Sequence, residues 1–324
     1  MNGDTRGAPD FSVPSPARMY DYFLGGKDNF AADRDAADRV IAAYPETRRL
    51  ARANRRFVTR VAWYLAEHGI RQYVDLGSGL PTSPNVHEIV RKIRRDARVV
   101  YVDDDPMVAA HGRAECAGEG IAFIERDIRY PQEILTDRRL TNLIDFTAPV
   151  AFLCAAVLHF IPDEDNPKDI VAALRWRMAP GSYLVISHVA ADDANKEALS
   201  AITDVYREAT APAVPRSAED IKTFFAGLDL VEPGLVDVSQ WRSDTRANPT
   251  KIRFIAGVAR KPRRAGKRRT WHAFEHRKTS LTRNNRAGDG NRTRMTSLEG
   301  WGSTIELRPR DLPGIVDAPA GRHR

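Results

Sequence analysis

The sequence predicts an α/β fold: a mostly parallel sheet covered by helices on both faces, with extra helices ahead of it. Three observations carry this. Short apolar runs alternate with helical patterns from Gln72 onward. A two-glycine turn, Asp75-Leu76-Gly77-Ser78-Gly79, follows the first of those runs. An acid, Asp103, closes the next run, 26 positions after Gly77.

The elements follow in order. Residues 1–13 read as a disordered lead. Ser15-Pro16 is a helix start, a capping hydroxyl followed by proline at the first helical position. That helix makes two turns, Arg18 to Leu24, and stops at Gly25-Gly26. A second covers Ala31 to Tyr44, and a third runs from Glu46 to His68 and ends at Gly69. In the third, Leu50, Phe57, Val61, Tyr64 and Leu65 recur at helical spacing. Its other side carries Arg48, Arg49, Arg52, Arg55, Arg56 and Arg60, read as a solvated face.

Strands are expected at Gln72–Leu76, Arg98–Asp103, Ile121–Glu125 and Val150–Ala156. A helix beginning at Ser83-Pro84 lies between the first two, with Val86, Ile89, Val90 and Ile93 on one stripe. Next come a helix at Ile170–Met178, a Pro180-Gly181 turn and a strand at Ser182–Ser187. Helices near Asp193–Glu208 and Ala218–Leu228 precede strands at Leu235–Val238 and Arg253–Val258. Unbroken apolar runs such as Val150–Leu158 fit strands buried on both faces.

Composition narrows the function classes. The net charge of +7 suggests a polyanion partner, but residues 261–324 hold 16 Lys+Arg against 6 Asp+Glu, and the remainder 34 against 37. The body is therefore slightly acidic, and nucleic acid is not the expected partner. The tail from Lys261 reads as disordered. Its Gly288–Arg310 stretch resembles translated transfer-RNA gene sequence at the end of an overextended reading frame, so it is expected to be idle rather than a basic arm. The two cysteines, Cys116 and Cys154, give no disulfide or metal pattern. With no signal peptide visible and no apolar run near the roughly 20 residues of a membrane helix, the protein is expected to be cytoplasmic. No motif fixes an oligomeric state.

The chemistry sits at the glycine turn. Two glycines let the backbone turn sharply and approach a ligand closely. A carboxylate at Asp103 can accept from both hydroxyls of a ribose, so the pair implies a nucleoside-bearing cofactor. The third glycine of a dinucleotide fingerprint would fall at Thr82, which favours a sugar with an amino-acid moiety over a dinucleotide. After the third strand, Asp127 can accept from an adenine amino group while Ile128 packs on the base. Met178 to Ile186 has the helix–Pro-Gly–strand form common in S-adenosylmethionine-dependent methyltransferases.

At this point the chain resembles the actinobacterial S-adenosylmethionine-dependent methyltransferases that carry an Ala-Arg-x-Tyr-Asp-Tyr-x-Leu-Gly-Gly-Lys-Asp-Asn-Phe segment, here Ala17 to Phe30. Further matches are Gly79-Leu80-Pro81-Thr82, Tyr101 to Pro106, Ala156 to Phe160 and Gly181 to His188. They span Pro14 to Arg260, so 14–260 is read as the methyltransferase domain and 14–70 as its helical cap. The family commonly has Asn at Asp104 and Thr at Ser78. The resemblance implies a Rossmann-like class I fold, seven-stranded with a reversed last hairpin, and S-adenosylmethionine as cofactor.

Gly77 and Gly79 are then expected to approach the cofactor, with Ser78 and Ala156 in the same matched segments. Asp75 would hold the loop or meet the amino group; Asp103 is the ribose ligand, with Asp104 behind it. Tyr20, Gly25, Gly26 and Asn29 would form a lid, the Tyr20 ring offering cation–π attraction to the sulfonium. His159 is the candidate general base or acceptor contact, with His188 in a similar position after the next strand. The acidic loop Asp163-Glu164-Asp165 can meet a cationic acceptor. The expected reaction is methyl transfer to a small molecule. A noncatalytic S-adenosylmethionine-binding protein and a nicotinamide-dependent oxidoreductase are the alternatives; Thr82 and the lack of a Tyr-x-x-x-Lys pair count against the second.

Overall fold

A computed structural model describes residues 10–116, 118–191, 196–243 and 250–263. Within these, eight strands form one sheet in the order β3-β2-β1-β4-β5-β8-β6, with β7 also on β8. Strands β1 (Gln72–Leu76), β2 (Arg98–Asp103), β3 (Ile121–Glu125), β4 (Ala151–Ala155) and β5 (Tyr183–Val189) are parallel. Strand β8 (Phe254–Arg260) runs antiparallel to β5 across its whole length. The short strands β6 (Asp229–Leu230) and β7 (Val236–Asp237) share the outer edge of β8, pairing with opposite halves of it. The expected seventh strand is thus one edge position filled in two pieces. Residues of β1 and β4 are buried almost throughout because helices cover both faces, which is why these strands read as apolar runs.

Strand order reverses at β1, which has β2 on one side and β4 on the other. The crevice at the carboxyl ends of β1, β2 and β4 is therefore the place where such sheets bind ligands.

Three helices precede the sheet: α1 (Pro16–Leu24), α2 (Ala31–Ala43) and α3 (Thr47–Glu67). One stripe of α3, including Phe57, Val61 and Leu65, packs on the sheet. Helices α1 and α2 instead build a satellite core with α9 (Lys196–Tyr206), centred on Met19, Phe23, Ala37, Val40 and Tyr206. The cap is thus joined to the later half of the chain.

Several expectations are corrected. Ser15 opens α1, but its hydroxyl donates to Asp105 at 2.6 Å and accepts from no N–H of the first turn. The helix after the glycine turn, α4 (Val86–Val90), starts at an Asn85–Glu88 capping box, past Ser83-Pro84. Helix α5 (Pro106–Glu115) was not expected; the Asp105 carboxylate accepts from Met107 N at 2.9 Å and Pro106 takes the first position. Two short helices between β3 and β4, α6 (Pro131–Thr136) and α7 (Arg138–Leu143), were also not expected. Helix α8 (Pro167–Arg177) begins earlier than expected, and α10 (Ala218–Thr223) ends earlier. Asp10 to Val13, placed in the disordered lead, instead turn against the cap, with Phe11 on Phe30. Most of the lead and of the basic tail, including Gly288–Arg310, lies outside the described residues. Among the described residues no helix is long and apolar enough to cross a membrane.

Candidate functional site

The glycine turn leaves β1 at the switch point. Gly77 and Gly79 take φ of +66° and +65°, which side-chain-bearing residues resist. Gly77 N and Ser78 N both donate to Val102 O of β2, at 2.8 and 3.1 Å. A Cβ on Gly77 would lie 2.3 Å from Val157 Cγ2, so the loop after β4 rests against this glycine. A Cβ on Gly79 would meet nothing within 4 Å. Gly77 therefore serves packing, and Gly79 faces open space.

Asp103 sits opposite. Its Oδ2 accepts from Gly79 N at 2.8 Å and its Oδ1 from Asp105 N at 3.1 Å. Burial, with Asp104 adding repulsion, pushes this carboxyl up to about 7. Asp75 is also buried, and burial raises it to about 6 against the pull of Arg55. Asp104 has an exposed edge, yet the dense protein around it and the neighbouring Asp127 raise it to about 6. Asp127 accepts from Arg129 N and Nε at 2.8 and 2.7 Å, so a base would share it with that guanidinium. Ile128 is buried in the core beneath.

Beside the glycine turn is a small hollow, with room for about 10 Å³, lined by Arg55, Asp75, Ser78, Gly79, Tyr101 and Cys116 among others. Arg55 was expected on a solvated face. Instead its Nη2 donates to Thr82 O and Pro84 O, while its Nε is buried without a partner. Arg48 and Arg60 also leave that face: Arg48 donates to Tyr22 O and lies over the Tyr22 ring, and Arg60 donates to Trp241 O. The reason is that α3 is covered by the cap on one side and the chain before β8 on another.

Beyond β4, Ala156 adopts φ +56°. Its N–H donates to Ser187 O and Oγ, both at 3.0 Å. Ser187 Oγ donates to Asn54 Oδ1 at 2.7 Å, Asn54 Nδ2 donates to the Tyr20 hydroxyl at 3.0 Å, and that hydroxyl donates to Ala51 O. Tyr20 is thus tied through α3 and β5 to the loop beside Gly77. Asn54 and Ser187 were missed because their positions are far apart in sequence.

The cap has a second tether. Arg18 Nε pairs with Asp33 at 2.8 Å and its Nη1 with Asp105 at 3.0 Å, all three largely buried. Asp105 lies two residues past Asp103. The Gly25–Asn29 loop is built around Asp21, whose carboxylate accepts from Asp28 N at 3.0 Å and Asn29 Nδ2 at 2.8 Å. A Cβ on Gly26 would collide with that carboxylate, and Gly25 ends α1 at φ +91°.

His159 is 4% exposed and packs on Phe160, His188 and Phe254. Its Nδ1 is buried without a partner, and burial holds the imidazole neutral, well below its ordinary range. His188 accepts or shares a hydrogen bond with Arg216 Nη1 at 3.1 Å, and burial lowers it to about 4. Arg216 also donates to Leu158 O and Ile161 O and pairs with Asp163, fixing the loop after β4. Of the acidic loop, Asp165 stands 3.5 Å from Arg129. No cluster among the described residues could hold a metal ion.

A family profile described as S-adenosyl methyltransferase matches residues 4–262. The chain belongs to the S-adenosyl methyltransferase family. Its cofactor is S-adenosylmethionine, and its fold is that of the class I enzymes. A candidate methyltransferase from Thermobifida fusca YX is 39% identical, with a TM-score of 0.74, over 78% of this chain and 97% of that one. A DUF574 family protein from Streptomyces avermitilis MA-4680 is 37% identical, with a TM-score of 0.75, over 78% and 99%. No curated protein matches this methyltransferase.

Proposed function

We propose that this methyltransferase acts on a small-molecule acceptor in the crevice above β1, β2 and β4. The observation that carries the placement is the Gly79–Asp103 pairing at the switch point. The residues present fit a nucleoside with an amino-acid tail. Gly79 leaves room for close approach, Asp103 presents a buried carboxylate, and the hollow beside the turn retains an unmet Arg55 N–H. Asp103 would hold the ribose hydroxyls, with Asp104 at the rim. Asp127 and Ile128 would flank the base, Asp75 would meet the amino group, and Gly77, Ser78 and Ala156 would shape the wall.

S-adenosylmethionine, when bound, supplies an electrophilic methyl group, so the protein's part is alignment and exclusion of water. The cap would provide the exclusion. Gly25, Gly26 and Asn29 act here as builders of the cap loop, since the Asn29 amide is already spent on Asp21 and Gly26. Tyr20 contributes as the cap's tether to Ala156. His159 is in the right protonation state for a base but is covered, so it would need uncovering before it could take a proton from an acceptor.

Calorimetric titration with S-adenosylhomocysteine and with NAD tests the site, and binding is expected for the first alone. A turnover assay that follows release of S-adenosylhomocysteine across an acceptor panel separates an enzyme from a noncatalytic binder. Turnover only with macromolecular acceptors would overturn the small-molecule reading.

A further inference from the structure

Between the cap and the loop after β4, one aromatic ring is flanked by two polar groups that nothing satisfies. Phe160 lies on the loop that also carries Ala156 and Val157 past the glycine turn. It is half-buried and packs into the satellite core of α1, α2 and α9. On one side its ring is 5.3 Å from Tyr206 of α9, and on the other 4.4 Å from His159. Tyr206 is 8% exposed, and among the described residues its hydroxyl makes no hydrogen bond. Burial, and after it the nearby Tyr20 phenol, raise its pKa, so it stays a neutral hydroxyl. His159 is 4% exposed, and its Nδ1 is unmet in a ring that burial keeps neutral. Unmet buried polar groups are costly, and they are retained where a ligand completes them.

The charges around this ring are already used. Arg18 pairs with Asp33 and Asp105, and the Asp21 carboxylate accepts from Asp28 N and Asn29 Nδ2. Arg216, beside His188, pairs with Asp163, and Asp165 stands 3.5 Å from Arg129. A carboxylate or ammonium brought here would lose its water without gaining a free partner. A flat, uncharged ring with a hydroxyl gains a stack on Phe160 and a bond to Tyr206.

We propose, building on the small-molecule reading above, that Phe160 and Tyr206 recognise the acceptor, and that it is an uncharged aromatic compound bearing a hydroxyl. Its ring lies on Phe160 and its hydroxyl meets that of Tyr206. Helix α9 then has a task in the site, which is why the cap shares a core with it.

The test is calorimetry on the full chain saturated with S-adenosylhomocysteine. Four probes of matched size are compared: β-naphthol, its saturated counterpart β-decalol, β-naphthoate and β-naphthylmethylamine. At about pH 7 the last two are ionised and the first two are neutral. β-Naphthol is expected to bind most tightly. Tyr206→Phe should weaken it roughly 3- to 10-fold, the range of a neutral hydrogen bond, and Phe160→Leu by a similar factor through the lost stack. Both variants should hold S-adenosylhomocysteine within about twofold of wild type. Tyr206→Phe should also unfold at no lower a urea midpoint, since it loses no bond of the fold; a lower midpoint would overturn the claim that the hydroxyl is unmet. Equal or tighter binding of either ionised probe would overturn the uncharged class, and equal binding of β-decalol the aromatic one. β-Naphthol binding that neither variant weakens would overturn the placement. Protein that binds S-adenosylhomocysteine but none of the four probes would overturn the acceptor site and leave the cofactor site standing. Failure to bind S-adenosylhomocysteine would overturn the cofactor placement itself.

Discussion

Gly77 and Gly79 have nearly the same backbone conformation and opposite surroundings, so alanine at each separates two costs. Either substitution forces a side chain into the left-handed region, at roughly 1–2 kcal/mol. At Gly79 that is the whole structural cost, because the new Cβ meets nothing within 4 Å. At Gly77 the Cβ would fall 2.3 Å from Val157 Cγ2 and 2.6 Å from Val157 Cβ, so the loop after β4 must shift. Overpacking of this kind adds about 1–3 kcal/mol. Gly77→Ala should therefore destabilise the fold by roughly 2–5 kcal/mol and Gly79→Ala by about 1–2 kcal/mol. Urea denaturation without ligand measures both. Adding Val157→Gly, which removes both clashing atoms, should recover the clash in the Gly77 variant only, with a coupling energy of about 1–3 kcal/mol. Titration with S-adenosylhomocysteine should rank the variants differently: Gly79→Ala, though more stable, places its methyl in open space at the turn and should lose about tenfold in affinity or more, ~1.4 kcal/mol. Equal destabilisation at the two sites, with coupling below about 0.5 kcal/mol, would refute the claim that Val157 packs on Gly77.

Other outcomes follow from the same geometry. Arg18→Met strands the buried carboxylates of Asp33 and Asp105 and should cost about 3–5 kcal/mol in denaturation; Asp33→Asn in the same chain should return part of it. Asp103 titrates at about 7 folded against 3.8 as its ordinary value, so from about pH 4 to 7 the folded state holds a proton that the unfolded chain has released. Its contribution to stability is therefore complete below pH 4 and is lost as pH rises to 7, and Asp103→Asn should remove that slope from a pH series of urea midpoints. Tyr20→Phe leaves Asn54 Nδ2 without its acceptor and should cost about 1–2 kcal/mol; unchanged cofactor affinity in this variant would sink the lid. His159→Phe should fold at least as well as wild type, since the ring keeps its stack on Phe254 and an unmet Nδ1 disappears. A loss of 10²-fold or more in turnover would instead mark His159 as the base.

What the sequence made legible has a physical pattern. Strands β1, β2, β4 and β5 are buried on both faces, so each leaves a short, mostly apolar run without alternation, unbroken in β4 and interrupted by Asp75 in β1 and by Ser187-His188 in β5, and the glycine turn and Asp103 lie at strand ends. The pieces β6 and β7 are two residues each, too short to leave an alternating pattern. Helices α6 and α7 are six residues each, less than two full turns, and show no period. For α5 the signal was present in Asp105-Pro106, a cap followed by proline at the first position. The side chains missed in the site share one property. Arg55, Asn54, Ser187 and the Arg18–Asp105 pair act across 27 to 133 positions of chain, and a single sequence gives no spacing that would reveal such a meeting. An arginine on a helix looks solvated until the fold covers it.

The same long-range bonds explain why the Ala17–Phe30 segment is so particular in its residues. Apolar packing of Met19 and Phe23 would hold α1 against α2 and α9, but such contacts are non-directional and tolerate small slides and rotations. Arg18 and Tyr20 point from the same helix to different parts of the crevice, one to Asp105 beside the ribose acid, the other through Asn54 and Ser187 to Ala156. A slide of α1 that satisfied one would break the other, and a buried charge left unpaired costs more than a lost apolar contact. Two tethers with different directions therefore fix the cap's register against the sheet. Ala156, held at φ +56°, sits where the second tether ends, so the strained residue beside the glycine turn is kept in place by the helix that would cover the cofactor.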